Sequence, residues 1–153
     1  MTTRDSFSDA EWALINEILA GVGLVPTALD GGVVSAVREF RAMMKAMSDA
    51  GSTYAGVELI HAMVAEPETR KNTEPLIVPT GDGFVERLLA KVPEAVRVVD
   101  AKATPAEAQA YRQLMREVAR ASAGAAGGGL FGSGEKISDE ERAFLARLDA
   151  ATA

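Results

Sequence analysis

Apolar residues recur at steps of three and four along most of this chain, the spacing that marks one face of a helix. Trp12, Ile15, Ile18 and Leu19 form the first stripe, behind Ser8-x-x-Glu11, a capping box in which hydroxyl and carboxylate each satisfy an orphan backbone N–H. Gly21, Gly23 and Pro26 then weaken the pattern, so residues 22–29 read either as a kinked continuation or as a loop. Asp30-Gly31-Gly32 reads as a turn or as the start of the next helix. Val33, Val37, Phe40, Met44 and Met47 make a second stripe that closes at Asp49-Ala50-Gly51, and the Met43, Met44, Met47 cluster within it reads as core filler. A third helix is predicted over 52–65, with Val57, Ile60 and Val64 in register and Pro67 as its stop. Residues 66–82 are polar, broken by Pro67, Pro75 and Pro79, and form the predicted loop; Leu76-Ile77-Val78 is too short to anchor a sheet. Phe84, Leu88 and Val92 mark a fourth helix, which Pro93 either kinks or separates from a short fifth through Val96 and Val99.

Start signals, periodicity and stop signals agree best between Thr104 and Leu148. Thr104-Pro105-x-Glu107 is a capping box with proline at the first helical position, where its missing N–H costs nothing. Tyr111, Leu114, Met115 and Val118 follow at helical spacing, and Gly124, Gly127, Gly128 and Gly129 end the run. Leu130 and Phe131, framed by Gly132 and Gly134, are predicted to fold back against the helices as a structural turn; the other reading makes the pair an interaction element. Ser138-x-x-Glu141 is a third capping box, ahead of Phe144, Leu145 and Leu148. No period-two strand pattern and no internal repeat is visible. The expected fold is therefore all-α: one domain over 1–153 of six to seven helices, ending in a helical hairpin joined by a glycine-rich turn.

At 153 residues and 48% hydrophobic, the chain is long enough to bury a core of its own. The net charge of −6 argues against general attraction to nucleic acid or anionic lipid. The absence of cysteine excludes disulfides, thiolate catalysis and cysteine-based zinc sites. Asp5, Asp9 and Glu11 make the N-terminus a poor secretory signal, and the uncharged run 18–29 is too short and too broken to span a bilayer. A soluble cytoplasmic protein without membrane insertion is expected.

Candidate chemistry is sparse. Residues 127–132 match G-x-G-x-x-G, but they follow a helix where a dinucleotide site needs a strand before and a helix after. Glu58-x-x-His61 puts a carboxylate and an imidazole on one helix face, as in di-iron bundles. His61 is the only histidine, so a metal site on Glu58 and His61 requires a second copy of the chain. Asp30, Asp82, Asp100 and Asp139-Glu140-Glu141 offer oxygen ligands but lack EF-hand spacing, and caps or solvated faces account for them. No cofactor and no catalytic residue is expected.

The Glu11-Trp12 opening, the alternating helices and the closing Gly-rich, Leu-Phe-Gly, Ser-Asp-x-Glu stretch resemble uncharacterised bacterial helical proteins that are distantly similar to the tellurite-resistance TerB-like domain. The resemblance is most specific over about 110–148. It implies acidic residues in Ala-Asp-Gly type turns linked to metal binding, and here only Leu29-Asp30-Gly31 approaches that motif. The function expected first is a non-enzymatic interaction module acting through protein–protein contact, as a homodimer or with another protein, within a stress-response system. The alternatives are a metal-binding protein using Glu58 and His61 across a dimer, and a carrier of a small apolar ligand in a methionine-lined pocket.

Overall fold

Helix α1, Asp9–Asp30, is the axis of the molecule in the computed structural model, which describes residues 2–30, 33–65, 83–126 and 137–153. It packs against α2 (Val33–Thr53), α4 (Phe84–Lys102), α5 (Pro105–Ala126) and α6 (Asp139–Ala151), while α3 (Glu58–Ala65) packs on α2 and α5, and one 3-10 turn at Arg4–Ser6 precedes α1. Among the described residues there is no strand, so the all-α, single-domain expectation holds with six α-helices. The glycine-rich turn with Leu130 and Phe131 and the loop 66–82 lie outside the described residues.

Trp12, Ile15, Ile18, Leu19, Val22 and Val25 of α1 are all buried, against α5, α4, α2 and α6. A helix covered on most sides is apolar on most sides. That is why α1 reaches the length and hydropathy of a membrane span over Asp9–Leu29, while most of that stretch is buried inside the bundle. Of the two readings of 22–29, continuation and loop, the helix takes the first: α1 runs on through Pro26. Likewise α4 runs unbroken through Pro93. Each proline removes one ladder hydrogen bond. Buried Val22 and Val25 before the first, and Val92 and Val96 about the second, supply the packing that keeps each helix whole.

The glycines of α1 have a tertiary role. A Cβ on Gly21 would sit 2.6 Å from Leu88 Cδ1, and one on Gly23 2.5 Å from Met43 Cγ and Sδ and 2.9 Å from Val118 Cγ1. At Gly23, α1 thus passes close to both α2 and α5.

All three capping boxes form. Glu11 N donates to Ser8 Oγ and Ser8 N to Glu11 Oε2. Thr104 and Glu107 exchange the corresponding bonds, as do Ser138 and Glu141. The third helix is shorter than predicted: α2 continues past Gly51 to Thr53, Val57 N donates to Tyr54 O in the turn, and α3 begins only at Glu58. The stripes of α4, α5 and α6 are buried as expected at Phe84, Leu88, Val92, Tyr111, Leu114, Met115, Val118, Phe144 and Leu148.

Candidate interaction surface

The second stripe departs from expectation. Val37, Phe40 and Met44 are 50%, 50% and 48% exposed. Of the three clustered methionines only Met43 is buried; Met44 faces solvent and Met47 is partly covered. The inward face of α2 is made by Glu39, Met43 and Ala50, with Ala46 packed beside them. Ala46 and Ala50 keep this face slim, and flexible Met43 fits against Gly23 where α1 passes close to it. Both faces of α2 carry apolar side chains at helical spacing, so periodicity identifies the helix without choosing its inner side.

Glu39 is fully buried. Its Oε2 accepts a 2.6 Å hydrogen bond from the Thr27 hydroxyl, and its Oε1 has no partner among the described residues. One turn earlier on α1, Gly23 O accepts a 2.7 Å bond from the buried Ser122 hydroxyl of α5. Burying a carboxylate where Phe40 or Val37 would bury more cheaply is a cost that runs against packing alone.

The exposed strip leads at its C-terminal end into a shallow groove of about 230 Å³ lined by Met44, Met47, Ser48, Met63 and Val64. Along one edge of the strip Arg41 and Lys45 are exposed, and Lys45 is paired with Asp49 at 2.5 Å.

Charged side chains on α4, α5 and α6 also pair with one another. On α5, Arg112, Arg116 and Arg120 recur at four-residue steps beside a cleft that also includes Gln113 and Thr152. Arg112 pairs with Asp100 at 2.6 Å, Arg116 donates to Thr152 Oγ1 and O at 2.8 Å each, and Arg120 grips both oxygens of Asp149. The first bond ties α5 to α4, and the others fasten the end of α6 to α5. Arg147 similarly holds Glu86 of α4 through two bonds of 2.7 and 2.6 Å, which keeps that carboxyl below its ordinary range. Burial opposes the charge of Glu107, yet hydrogen bonds from Thr2 and Thr104 outweigh it and hold the carboxyl down to about 2. Burial pushes the Tyr111 phenol up, and its hydroxyl donates to Ile15 O at 2.8 Å.

Glu58 and His61 share a cleft with Thr3, Arg4, Asp5, Ala62 and Ala65. Both are exposed, and His61 Nε2 lies 3.2 Å from Ala55 O. Among the described residues no three His, Asp or Glu side chains converge as a metal ion requires. Asp100, offered as a possible ligand, is taken by Arg112, and Asp139 by Arg142. The exposed α2 strip was not singled out by sequence; the signal available was Glu39, which falls on the side opposite the stripe. Comparison of the chain with protein-family models, with curated proteins and with solved structures gives no match in any of the three.

Proposed function

We propose that the protein is a non-enzymatic helical interaction module that works through protein–protein contact on the exposed face of α2. The observation that carries this reading is the orientation of α2: Val37, Phe40 and Met44 stand half in water while Glu39 is buried on the opposite side. An arrangement with apolar groups out and a carboxylate in lowers the stability of the isolated fold, and selection for a contact accounts for it. The groove is smaller than the 300–1,000 Å³ usual for a small-ligand site and is open along the helix, which favours a contact surface over a carrier. The net charge of −6 supports a partner other than nucleic acid. The resemblance to TerB-like domains extends the proposal to a stress-response system.

The test is site-specific photo-crosslinking in cells from positions 40 and 44, with Ala146 on the exposed side of α6 as the control position. Adducts of discrete mass from 40 and 44 and not from 146 are expected. Equal labelling from all three positions, or none from α2, overturns the reading. Phe40→Glu should abolish the adduct formed from position 44 and leave the melting temperature within a few degrees of the parent, because a half-exposed side chain contributes little to the fold.

A further inference from the structure

We infer that Met44 and Met47 form a reversible oxidation site: a peroxide converts them to sulfoxides, and the oxidised α2 face releases its partner. The inference rests on α2 being the contact surface, as proposed above.

Access singles out these two residues. The chain has no cysteine to intercept a two-electron oxidant, which leaves its thioethers as the only sulfur to attack. Met43, Met63 and Met115 are 4%, 2% and 0% exposed, whereas Met44 is 48% exposed and Met47 is partly covered. Both accessible thioethers line the same groove, opposite Met63 and Val64 of α3. Among the described methionines, oxidation therefore falls on the proposed contact surface and spares the core.

The chemistry is an oxygen transfer. A thioether lone pair attacks one oxygen of hydrogen peroxide, the O–O bond breaks and an S–O bond forms. The proton on the transferred oxygen passes to the departing hydroxide, which leaves as water. Sulfur loses two electrons and the peroxide gains two. A flexible apolar side chain becomes a polar one. In the free chain the new oxygen of half-exposed Met44 stays hydrated, so the fold tolerates it. A partner seated on the strip must remove that water, and neighbouring Val37 and Phe40 have no side-chain donor to replace it. The return step needs two thiols, which this chain lacks, so the reductant is a thiol-dependent methionine sulfoxide reductase. There the thiols are oxidised to a disulfide and the sulfoxide oxygen leaves as water.

The experiment uses the purified full chain carrying the photo-crosslinker at position 40, divided into three samples. One is untreated. The second is treated with hydrogen peroxide and then freed of it. The third is so treated and then reduced by the two methionine sulfoxide reductases, one for each sulfoxide epimer, with dithiothreitol. Peptide mass mapping over time should show one added oxygen at Met44 first and Met47 next. Met44 should react at least about tenfold faster than Met43, Met63 and Met115. Each sample is then irradiated in extract of the cells used for crosslinking, so that the partner itself never meets peroxide. The adduct from position 40 should fall at least about fivefold on oxidation and return on reduction. Melting of the oxidised chain should stay within a few degrees of the parent. Core methionines reacting as fast as Met44, or an undiminished adduct once Met44 is converted, overturns the inference. So does a loss that reduction fails to reverse, or one explained by unfolding of the oxidised chain. No adduct from the untreated sample overturns the contact reading and the inference with it. The mass map, which involves no partner, separates that failure from failure of the oxidation site.

Discussion

Replacing single glycines by alanine tests the closeness of the helix crossings. In a helix interior, alanine is better than glycine by about 0.8–1 kcal/mol, and that gain is common to every helical glycine. What differs is the space. At Gly124 of α5 an added Cβ meets nothing within 4 Å, so Gly124→Ala should stabilise by about 0.5–1 kcal/mol. At Gly21 the nearest atom, 2.6 Å away, is a terminal methyl of Leu88, which can swing aside, so gain and loss should nearly cancel. At Gly23 the methyl meets Met43 at 2.5 Å and Val118 at 2.9 Å together. Val118 is stiff at χ1 and buried, so relief there requires the helices to separate. Overpacking of that kind costs about 1–3 kcal/mol, leaving Gly23→Ala net destabilised by up to about 2 kcal/mol. In melting temperature this is a rise of about 1–4 °C for Gly124→Ala, little change for Gly21→Ala and a fall of up to about 8 °C for Gly23→Ala. Thermal unfolding followed by circular dichroism reads all three. A Gly23→Ala variant as stable as Gly124→Ala would refute the close approach of α1, α2 and α5.

Three further outcomes are expected. Thr27→Val removes the only donor to Glu39 found among the described residues and should cost about 1–3 kcal/mol in urea unfolding; adding Glu39→Met should recover that loss in full or more, and a double variant worse than the single one would show that the buried carboxyl has another partner. The carboxyl of Glu107 sits at about 2 in the folded chain against an ordinary 4.5, so its contribution, up to about 3 kcal/mol, is present above pH 4.5 and is lost as pH falls from there toward 2. Glu107→Gln should flatten the fall of melting temperature over that window, and an unchanged profile would remove Glu107 as a cause of acid sensitivity. Isothermal titration with zinc should show no stoichiometric site on Glu58 and His61, and His61→Ala should melt like the parent; one equivalent of metal, lost on that substitution, would revive the shared-site reading.

Local signals were read well from sequence, and signals that depend on a neighbour were not. The three capping boxes depend on side chains three residues apart, and each formed where the Ser/Thr-x-x-Glu spacing put it. Pro26 and Pro93 weigh against helix locally, but the burial of Val22 and Val25 before the first and of Val92 and Val96 about the second outweighs one lost hydrogen bond, and only the tertiary structure shows that burial. Gly51 likewise suggests a stop. Within α2 its added Cβ would lie 3.7 Å from Val64, and the ladder continues to Tyr54 N, which donates to Ala50 O. The bonds from Thr2 to Glu107 and from Arg116 to Thr152 join residues far apart in the chain, so no spacing announces them.

The misreading of α2 has a more specific cause, and it bears on function. Amphipathicity predicts burial on the assumption that the apolar face is the one covered. In α2 there are two candidate faces, one of large side chains at Val37, Phe40 and Met44 and one of smaller or flexible ones at Met43, Ala46 and Ala50. Gly23 lets α1 come close, and close approach selects the second face because bulk would hold the helices apart. Turning α2 to bury Phe40 would bring Glu39 into water and remove its hydrogen bond to Thr27. The Thr27–Glu39 pair therefore fixes the rotation of α2 at some cost in stability, and its effect is to hold Val37, Phe40 and Met44 outward. A buried polar pair of this kind sets orientation more than it adds stability, and what it orients here is the surface proposed to meet a partner.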